Sequence, residues 1–164
     1  MVRTVLTCCL LAIFVGASFG KDIATSLPEV TPKQIEKVRC FIEPSKTVEM
    51  DHSVVYKEAR IFFSSAGAAK KFEHDPKSFE AFANHQLVRT GQYVQHACPL
   101  SGEAPDEDSV VITIAGVKVT LLCADCAKEI AKEPLKEQIT TLFDEEGFRF
   151  GKFALREKPD DSGR

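Results

Sequence analysis

The sequence predicts an α+β fold built from two tandem small modules, each a β-hairpin followed by short helices. The chain repeats itself with an offset of 58 residues, by which Cys40 and Pro76 recur as Cys98 and Pro134, and self-similarity at a fixed offset indicates a duplicated structural unit. Each unit contains two stretches of alternating or β-branched residues around a short turn, which predicts a hairpin. A small-residue segment follows each hairpin and leads to an acidic residue and a proline, which predicts a short helix and its end.

We define module one as residues 38–84 and module two as residues 96–142. The polar segment 85–95 between them is predicted to be a linker. Residues 21–37 are predicted to form an N-terminal linker or a short helix. In residues 143–164 the alternating stretch GFRFGKFAL predicts a last strand, and the charged tail after it is predicted to be disordered.

Both modules are predicted to place their elements in the same order. A turn-rich piece after the first cysteine leads to the hairpin, SVVYKEARIFF in module one and SVVITIAGVKVTLL in module two. The next helix is predicted to end at Asp75-Pro76 or at Glu133-Pro134, and a second helix follows each proline. Apolar residues at helical spacing in these second helices are predicted core positions: Phe79, Phe82, Leu135, Ile139 and Leu142.

The first twenty residues are predicted to be a secretory signal peptide rather than part of the fold. Arg3 gives a positive start, residues 5–15 are apolar, and small residues precede Lys21. The protein is therefore expected to be exported to a periplasm or to the extracellular space. No later segment has the roughly 20 apolar residues that a membrane-spanning helix needs, so no membrane span is predicted.

Four cysteines follow the predicted signal peptide, and they are the candidate functional residues: Cys40, Cys98, Cys123 and Cys126. In an oxidising compartment an even number predicts two disulfides, with three possible pairings, and the alternative is a metal site. Cys123 and Cys126 lie at a predicted hairpin-to-helix junction, where both thiolates can face one ion and the first helical N–H groups stabilise their charge. Cys98, in a proline-glycine turn at the other end of the hairpin, can complete a zinc-knuckle type site.

Three thiolates are too few for a closed tetrahedral zinc site, so the ion and the remaining ligand stay open. His96 is one candidate, because residues two apart on an extended segment point the same way and His96 would accompany Cys98; the alternative is an exposed linker histidine. Cys40 is a second candidate if the two modules pack face to face. A trigonal site of three thiolates would instead suit Cu(I). The other potential ligands are predicted to be surface residues: Met50, His52, His74 and His85.

Both modules resemble the YHS and TRASH group of small metal-binding domains. Module two carries CPLSG from Cys98 and LLCADCAKEIAKEP from Leu121, and module one carries VYKEARIFFSSAGAAKKFEHDP from Val55. The resemblance implies zinc-ribbon or knuckle-like domains that bind zinc, copper or other heavy-metal ions, often as an accessory to transport, resistance or sensing. In module one Ser65 and Ala68 stand where the family has paired cysteines, so this module is expected to be structural or to bind a protein partner.

Three functions remain open from the sequence. The first is an exported metal-binding protein, the second a secreted, disulfide-stapled module that binds another protein, and the third a thiol-disulfide oxidoreductase, for which the βαβ context of a thioredoxin-like site is missing. The chain has no Ser-His-Asp order and no glycine-rich phosphate loop, so it is predicted not to be an enzyme. Its formal charge of -3 and its lack of a dense basic cluster predict no nucleic acid partner.

Overall fold

The computed structural model describes residues 27–157 of the 164-residue chain, and the predicted signal peptide and the last residues of the tail lie outside this range. The α+β prediction is confirmed, because short helices follow small antiparallel hairpins. The strands are β1 (Glu49–Tyr56), β2 (Ala59–Phe63), β3 (Tyr93–Val94), β4 (Val110–Ile114), β5 (Val117–Leu121) and β6 (Ala154–Leu155). The α-helices are α1 (Pro32–Ile35), α2 (Ala66–His74), α3 (Glu80–Arg89), α4 (Ala124–Lys132), α5 (Leu135–Phe143) and α6 (Glu145–Phe150), and a 3₁₀ turn (Lys77–Phe79) precedes α3.

The two hairpins have the same register next to their turns and the same kind of turn, and only β1 contains an irregularity, between Glu49 and Ser53. β1 pairs with β2 and β4 pairs with β5, both antiparallel, and the closing pairs are Tyr56–Ala59 and Ile114–Val117. Each turn has two residues with positive φ, which is the conformation that matches the twist of the flanking strands. The turn residues are Lys57, Glu58, Ala115 and Gly116. Both predicted hairpins are therefore confirmed.

Helices α2 and α4 occupy the same place in the repeat, and each is nine residues long. Each begins at an N-cap side chain, Ser65 or Cys123, that accepts a backbone N–H from the residue three positions later. Each ends at an acidic residue before a proline, whose ring disfavours helical backbone at the residue before it. The predicted ends of these helices are confirmed.

The stretch after Asp144 is mostly a helix, so the prediction of a strand there is wrong for most of its length. Helix α6 covers Glu145–Phe150, and only Ala154–Leu155 forms a strand, paired with Tyr93–Val94. The reason is a helix cap: the Asp144 carboxylate accepts the N–H of Gly147 at 2.7 Å. The alternating pattern of the sequence does not reveal this local hydrogen bond.

Residues 85–95, which the sequence predicts to be a linker, lie inside the fold and include the end of α3 and the whole of β3. The Gln86 side chain accepts the N–H of Phe62 at 2.6 Å and donates to the Phe62 carbonyl at 3.0 Å. Gln92 makes the same two bonds with Arg60, at 2.8 Å and 2.6 Å. Both partners are on β2, so the two amides pair with a strand edge as a neighbouring strand would.

Gln95 makes the corresponding pair of hydrogen bonds in module two. Its side chain accepts the N–H of Thr120 at 3.0 Å and donates to the Thr120 carbonyl at 2.7 Å. Thr120 is the repeat counterpart of Phe62. The polar side chains of this connector thus satisfy the edges of both hairpins and hold them to one segment.

The two modules share one hydrophobic core, in which α3 packs against α5. The Asn84 side-chain amide donates to the carbonyl of Phe143 at 2.8 Å. His85 Nε2 lies 3.0 Å from the carbonyl oxygen of Ile114, and the imidazole ring meets the Phe143 ring edge-on at 5.0 Å between centroids. The prediction that His85 is a surface residue is wrong, because module two covers this face of α3.

The predicted core positions of the second helices are confirmed with one exception. Ile139 and Leu142 are buried, and Phe79 and Phe82 are partly buried against the core. Leu135 is 52% exposed, because it is the first residue of α5 and lies at the mouth of a cavity between the modules. Within residues 27–157 no helix has the length and apolar character that crossing a bilayer requires.

Candidate functional site

The paired cysteines of module two lie at the start of α4, where the sequence places them. Cys123 is the N-cap residue, and its sulfur accepts the backbone N–H of Cys126 at 3.1 Å. The two Sγ atoms are at disulfide distance. Cys123 is exposed and Cys126 is partly exposed, so small reactants can reach the pair. If the pair is reduced, the helix dipole and the free N–H groups of the first turn stabilise the thiolates.

Cys98 is a free cysteine held in a tight turn, at the end of the hairpin where β5 leads into α4. The turn is closed by hydrogen bonds from Cys98 N–H to the Glu103 carbonyl at 2.8 Å and from Gly102 N–H to the Cys98 carbonyl at 2.8 Å. Burial alone would raise the pKa of the Cys98 thiol, but the neighbouring backbone N–H groups of Leu122, Leu100 and Ser101 and the Ser101 hydroxyl favour the thiolate and lower this pKa below its ordinary value. Leu122 directly precedes Cys123, so the Cys98 turn lies near the start of α4.

The three cysteines of module two do not form a metal-binding group in this structure. Among residues 27–157 there is no group of three or more His, Cys, Asp or Glu side chains positioned to hold a metal ion. A disulfide also lacks the thiolates that a soft ion needs. The donor set of Cys98, Cys123 and Cys126 therefore fits such an ion only after reduction of the pair and a movement of its side chains.

The two remaining candidate ligands lie elsewhere. His96 is exposed, and its backbone N–H donates to the Gly151 carbonyl at 3.0 Å. Cys40 is fully buried, accepts the N–H of Glu43 on its sulfur at 3.4 Å, and lines the cavity between the modules. Within the described part of the chain, the structure gathers neither residue into a metal-binding group with the Cys123–Cys126 pair.

Module one builds the same junction without cysteines. Ser65 is the N-cap of α2, and its hydroxyl oxygen accepts the N–H of Ala68 at 3.1 Å, the same distance as in the Cys123 cap. The Glu43 carboxylate accepts hydrogen bonds from the hydroxyls of Ser64 at 2.5 Å and Ser65 at 3.1 Å. This carboxylate ties the Cys40 turn to the hairpin-to-helix junction of module one.

Glu43 is the residue of this region that the sequence predictions missed. The hydrogen bond from the Ser64 hydroxyl has the largest effect on the pKa of the Glu43 carboxyl and that from Lys46 the next largest, and both lower it. The ionised form, which accepts these bonds, is therefore favoured. A signal for it exists in the repeat, which aligns Glu43 with Ser101. At this position of the repeat, module one has an acidic residue and no paired cysteines at its junction, whereas module two has a serine and the Cys123–Cys126 pair.

Comparisons of the chain with protein-family models, with curated proteins and with solved structures found no match. The resemblance to YHS and TRASH domains therefore stays a prediction from the residues of the two modules. The geometry of the two junctions is the basis for a functional inference.

Proposed function

We propose that this protein is an exported metal-binding protein. In this proposal module two binds a zinc or copper ion through the reduced thiols of Cys98, Cys123 and Cys126, and module one supports the fold or binds a protein partner. The observation that supports the proposal most directly is that the same hairpin-to-helix junction is built twice, with thiols in only one copy.

The paired cysteines are not needed to form the junction. In module one Ser65 caps the helix at the position of Cys123, and Ala68 stands at the position of Cys126. The backbone of the junction is nevertheless retained. A Cys123–Cys126 disulfide closes a short loop and would contribute about 2 kcal/mol, against about 3 kcal/mol for a loop of 15 residues. The junction that module one keeps without cysteines therefore supports a chemical role for the two sulfurs in addition to this crosslink.

The third thiol is prepared for ligation by the backbone around it. The N–H groups directed at Cys98 favour its thiolate, which is the form that binds a metal ion. The Cys123–Cys126 pair becomes available when a dithiol reductant supplies two electrons and two protons and leaves two thiols. These thiols release their protons when they bind the ion.

A second candidate is the disulfide-stapled module that binds another protein, and one observation favours it: the Cys123 and Cys126 sulfurs are at disulfide distance. The two proposals differ in what the reduced protein does. On reduction, a metal-binding protein becomes able to bind an ion through the two freed thiols. A disulfide-stapled interaction module only loses its crosslink.

The experiment is metal titration of the purified protein under anaerobic conditions, after reduction by a phosphine. We expect one equivalent of Zn²⁺ or Cu(I) to bind, with a thiolate-to-metal charge-transfer band in the ultraviolet for copper. Separate Cys98→Ser, Cys123→Ser and Cys126→Ser variants should each weaken binding at least tenfold, as losing one ligand of three would. Failure of the reduced protein to bind either ion would contradict the proposal and favour the stapled module.

The matched control is Cys40→Ala, which removes the counterpart of Cys98 in module one. This variant should keep a stoichiometry of one, because Cys40 lies in the cavity between the modules. His96→Ala tests the remaining ligand in the same titration. Loss of binding in Cys40→Ala with the fold intact by circular dichroism would place the ion between the modules instead.

A further inference from the structure

An open cavity of about 430 Å³ lies between the two modules, away from the cysteine pair. Its apolar lining, here called its floor, comes from both modules and includes Phe41 and Phe82 from module one and Ile139 from module two. Leu135 stands at its mouth and is 52% exposed. The size is that of an ordinary small-molecule site, for which about 300 to 1,000 Å³ is typical.

The charged residues around this cavity are all basic. They are Lys37, Arg39, Arg89 and Lys136, and no Asp or Glu lines the cavity. Within residues 27–157 none of these four side chains forms an ion pair with a carboxylate. Arg39 donates one hydrogen bond, to the Ser45 carbonyl at 3.1 Å, and its other N–H groups remain for a ligand. The whole chain has a formal charge of -3, so this concentration of cations without carboxylate partners runs against the composition of the protein.

The interior polar side chains of the cavity are already engaged. Gln86 uses its amide on both backbone groups of Phe62, and His85 Nε2 contacts the carbonyl of Ile114. Burial lowers the pKa of His85, so its imidazole is neutral. The cavity therefore offers apolar contact in its floor and positive charge at its edge.

We infer that this cavity binds an anionic amphiphile, specifically a carboxylate with an aliphatic chain. The chain would pack on Phe41, Phe82 and Ile139, and the carboxylate would meet Arg39 and Lys136, since a guanidinium or ammonium group forms charge-assisted hydrogen bonds with a carboxylate. The inference uses no residue of the Cys123–Cys126 pair, so it stands or fails independently of metal binding.

The test is calorimetric titration of the purified protein with octanoate, octanol and octyltrimethylammonium, which share a chain and differ in charge. We expect one octanoate per chain, at least tenfold weaker binding of octanol, and no binding of the cation. Affinity should rise from hexanoate to octanoate by up to about fourfold for each methylene that reaches the floor. Chemical shifts of Leu135 and Ile139 methyl groups should report the site.

Variants make the inference specific to this cavity. Arg39→Gln and Lys136→Gln should each weaken octanoate about tenfold, as loss of a charge-assisted hydrogen bond does. The control is Lys70→Gln, since Lys70 is exposed on α2 and does not line the cavity. Equal affinity for octanol, an effect of Lys70→Gln as large as that of Lys136→Gln, binding of several ligands per chain, or no binding would each overturn the inference.

Discussion

His85 is the residue whose environment differs most from what its polarity predicts. Burial, opposed by the hydrogen bond to Ile114 and aided by the nearby positive charge of Arg89, lowers the pKa of the imidazole below its ordinary value of 6.5. The folded state therefore favours the neutral imidazole. The unfolded chain takes up a proton near the ordinary pKa, whereas the folded chain takes it up only at lower pH.

This difference predicts acid destabilisation from one residue. Above about pH 6.5 the contribution of His85 to stability is fully present, and it is lost as the pH falls towards the lower folded-state pKa, by up to about 1.4 kcal/mol per pH unit. The free energy of unfolding, measured with urea between pH 7.5 and pH 5, should fall, and His85→Gln should flatten that slope. His74→Gln, on an exposed histidine, is the control and should keep the slope. An unchanged slope in His85→Gln would contradict the assignment.

At the scale of elements, the glutamines of the connector decide how the hairpins are held. Gln86 is buried and satisfies both backbone groups of Phe62. Gln86→Leu keeps a similar volume but leaves a buried N–H and a buried carbonyl unpaired, so it should destabilise the protein by about 2 to 4 kcal/mol. Chemical denaturation measures this loss. The slope of the free energy of unfolding against denaturant concentration should be the same in the variant and the parent protein.

Gln138 provides the matched control on α5. Its side chain donates one hydrogen bond to the Glu133 carbonyl, and that contact is exposed. Gln138→Leu should therefore change the free energy of unfolding by less than about 0.5 kcal/mol. Equal effects of the two substitutions would show that the pairing with β2 contributes nothing specific.

The elements differ in how far their sequences predict them. The hairpins and the helices α2 and α4 follow from alternation and from the prolines after Asp75 and Glu133, because these signals are local. The connector 85–95 is predicted to be a linker from its polar composition, but its glutamines are bonded to strand residues 24 to 32 positions away, as measured from Gln86 and Gln92. Helix α6 was not predicted, because the alternating pattern after Asp144 indicates a strand, whereas the cap formed by the Asp144 side chain favours a helix.

The candidate site follows the same division between local and distant signals. The repeat and the Cys-x-x-Cys spacing place Cys123 and Cys126 at the start of α4, and the structure confirms that location. The cation-edged cavity joins Arg39 to Lys136, residues from the two modules that are far apart in the chain. No spacing rule links such positions, since only the packing of the two modules on one core brings them together.

At the scale of the whole molecule, the two modules form one folding unit in spite of their separate hairpins. The core extends from Phe62 in β2 to Leu142 in α5, and both side chains are almost completely buried. A contact at the interface, from Asn84 to the carbonyl of Phe143, is also buried. A substitution that destabilises module two should therefore destabilise module one as well, as expected of a domain that unfolds cooperatively.

Hydrogen exchange of the backbone amides tests this cooperativity with a core substitution in module two. Leu142→Ala should lower the free energy of unfolding by about 2 to 5 kcal/mol, because it removes buried methyl groups and leaves a cavity. The amides of Phe62 in module one and Val119 in module two should lose protection by that same amount, since both open only when the whole unit unfolds. The control is Val111→Ala, on a side chain that is 58% exposed, which should change neither amide by more than about 0.5 kcal/mol. Loss of protection at Val119 with Phe62 unaffected would show instead that the modules unfold separately.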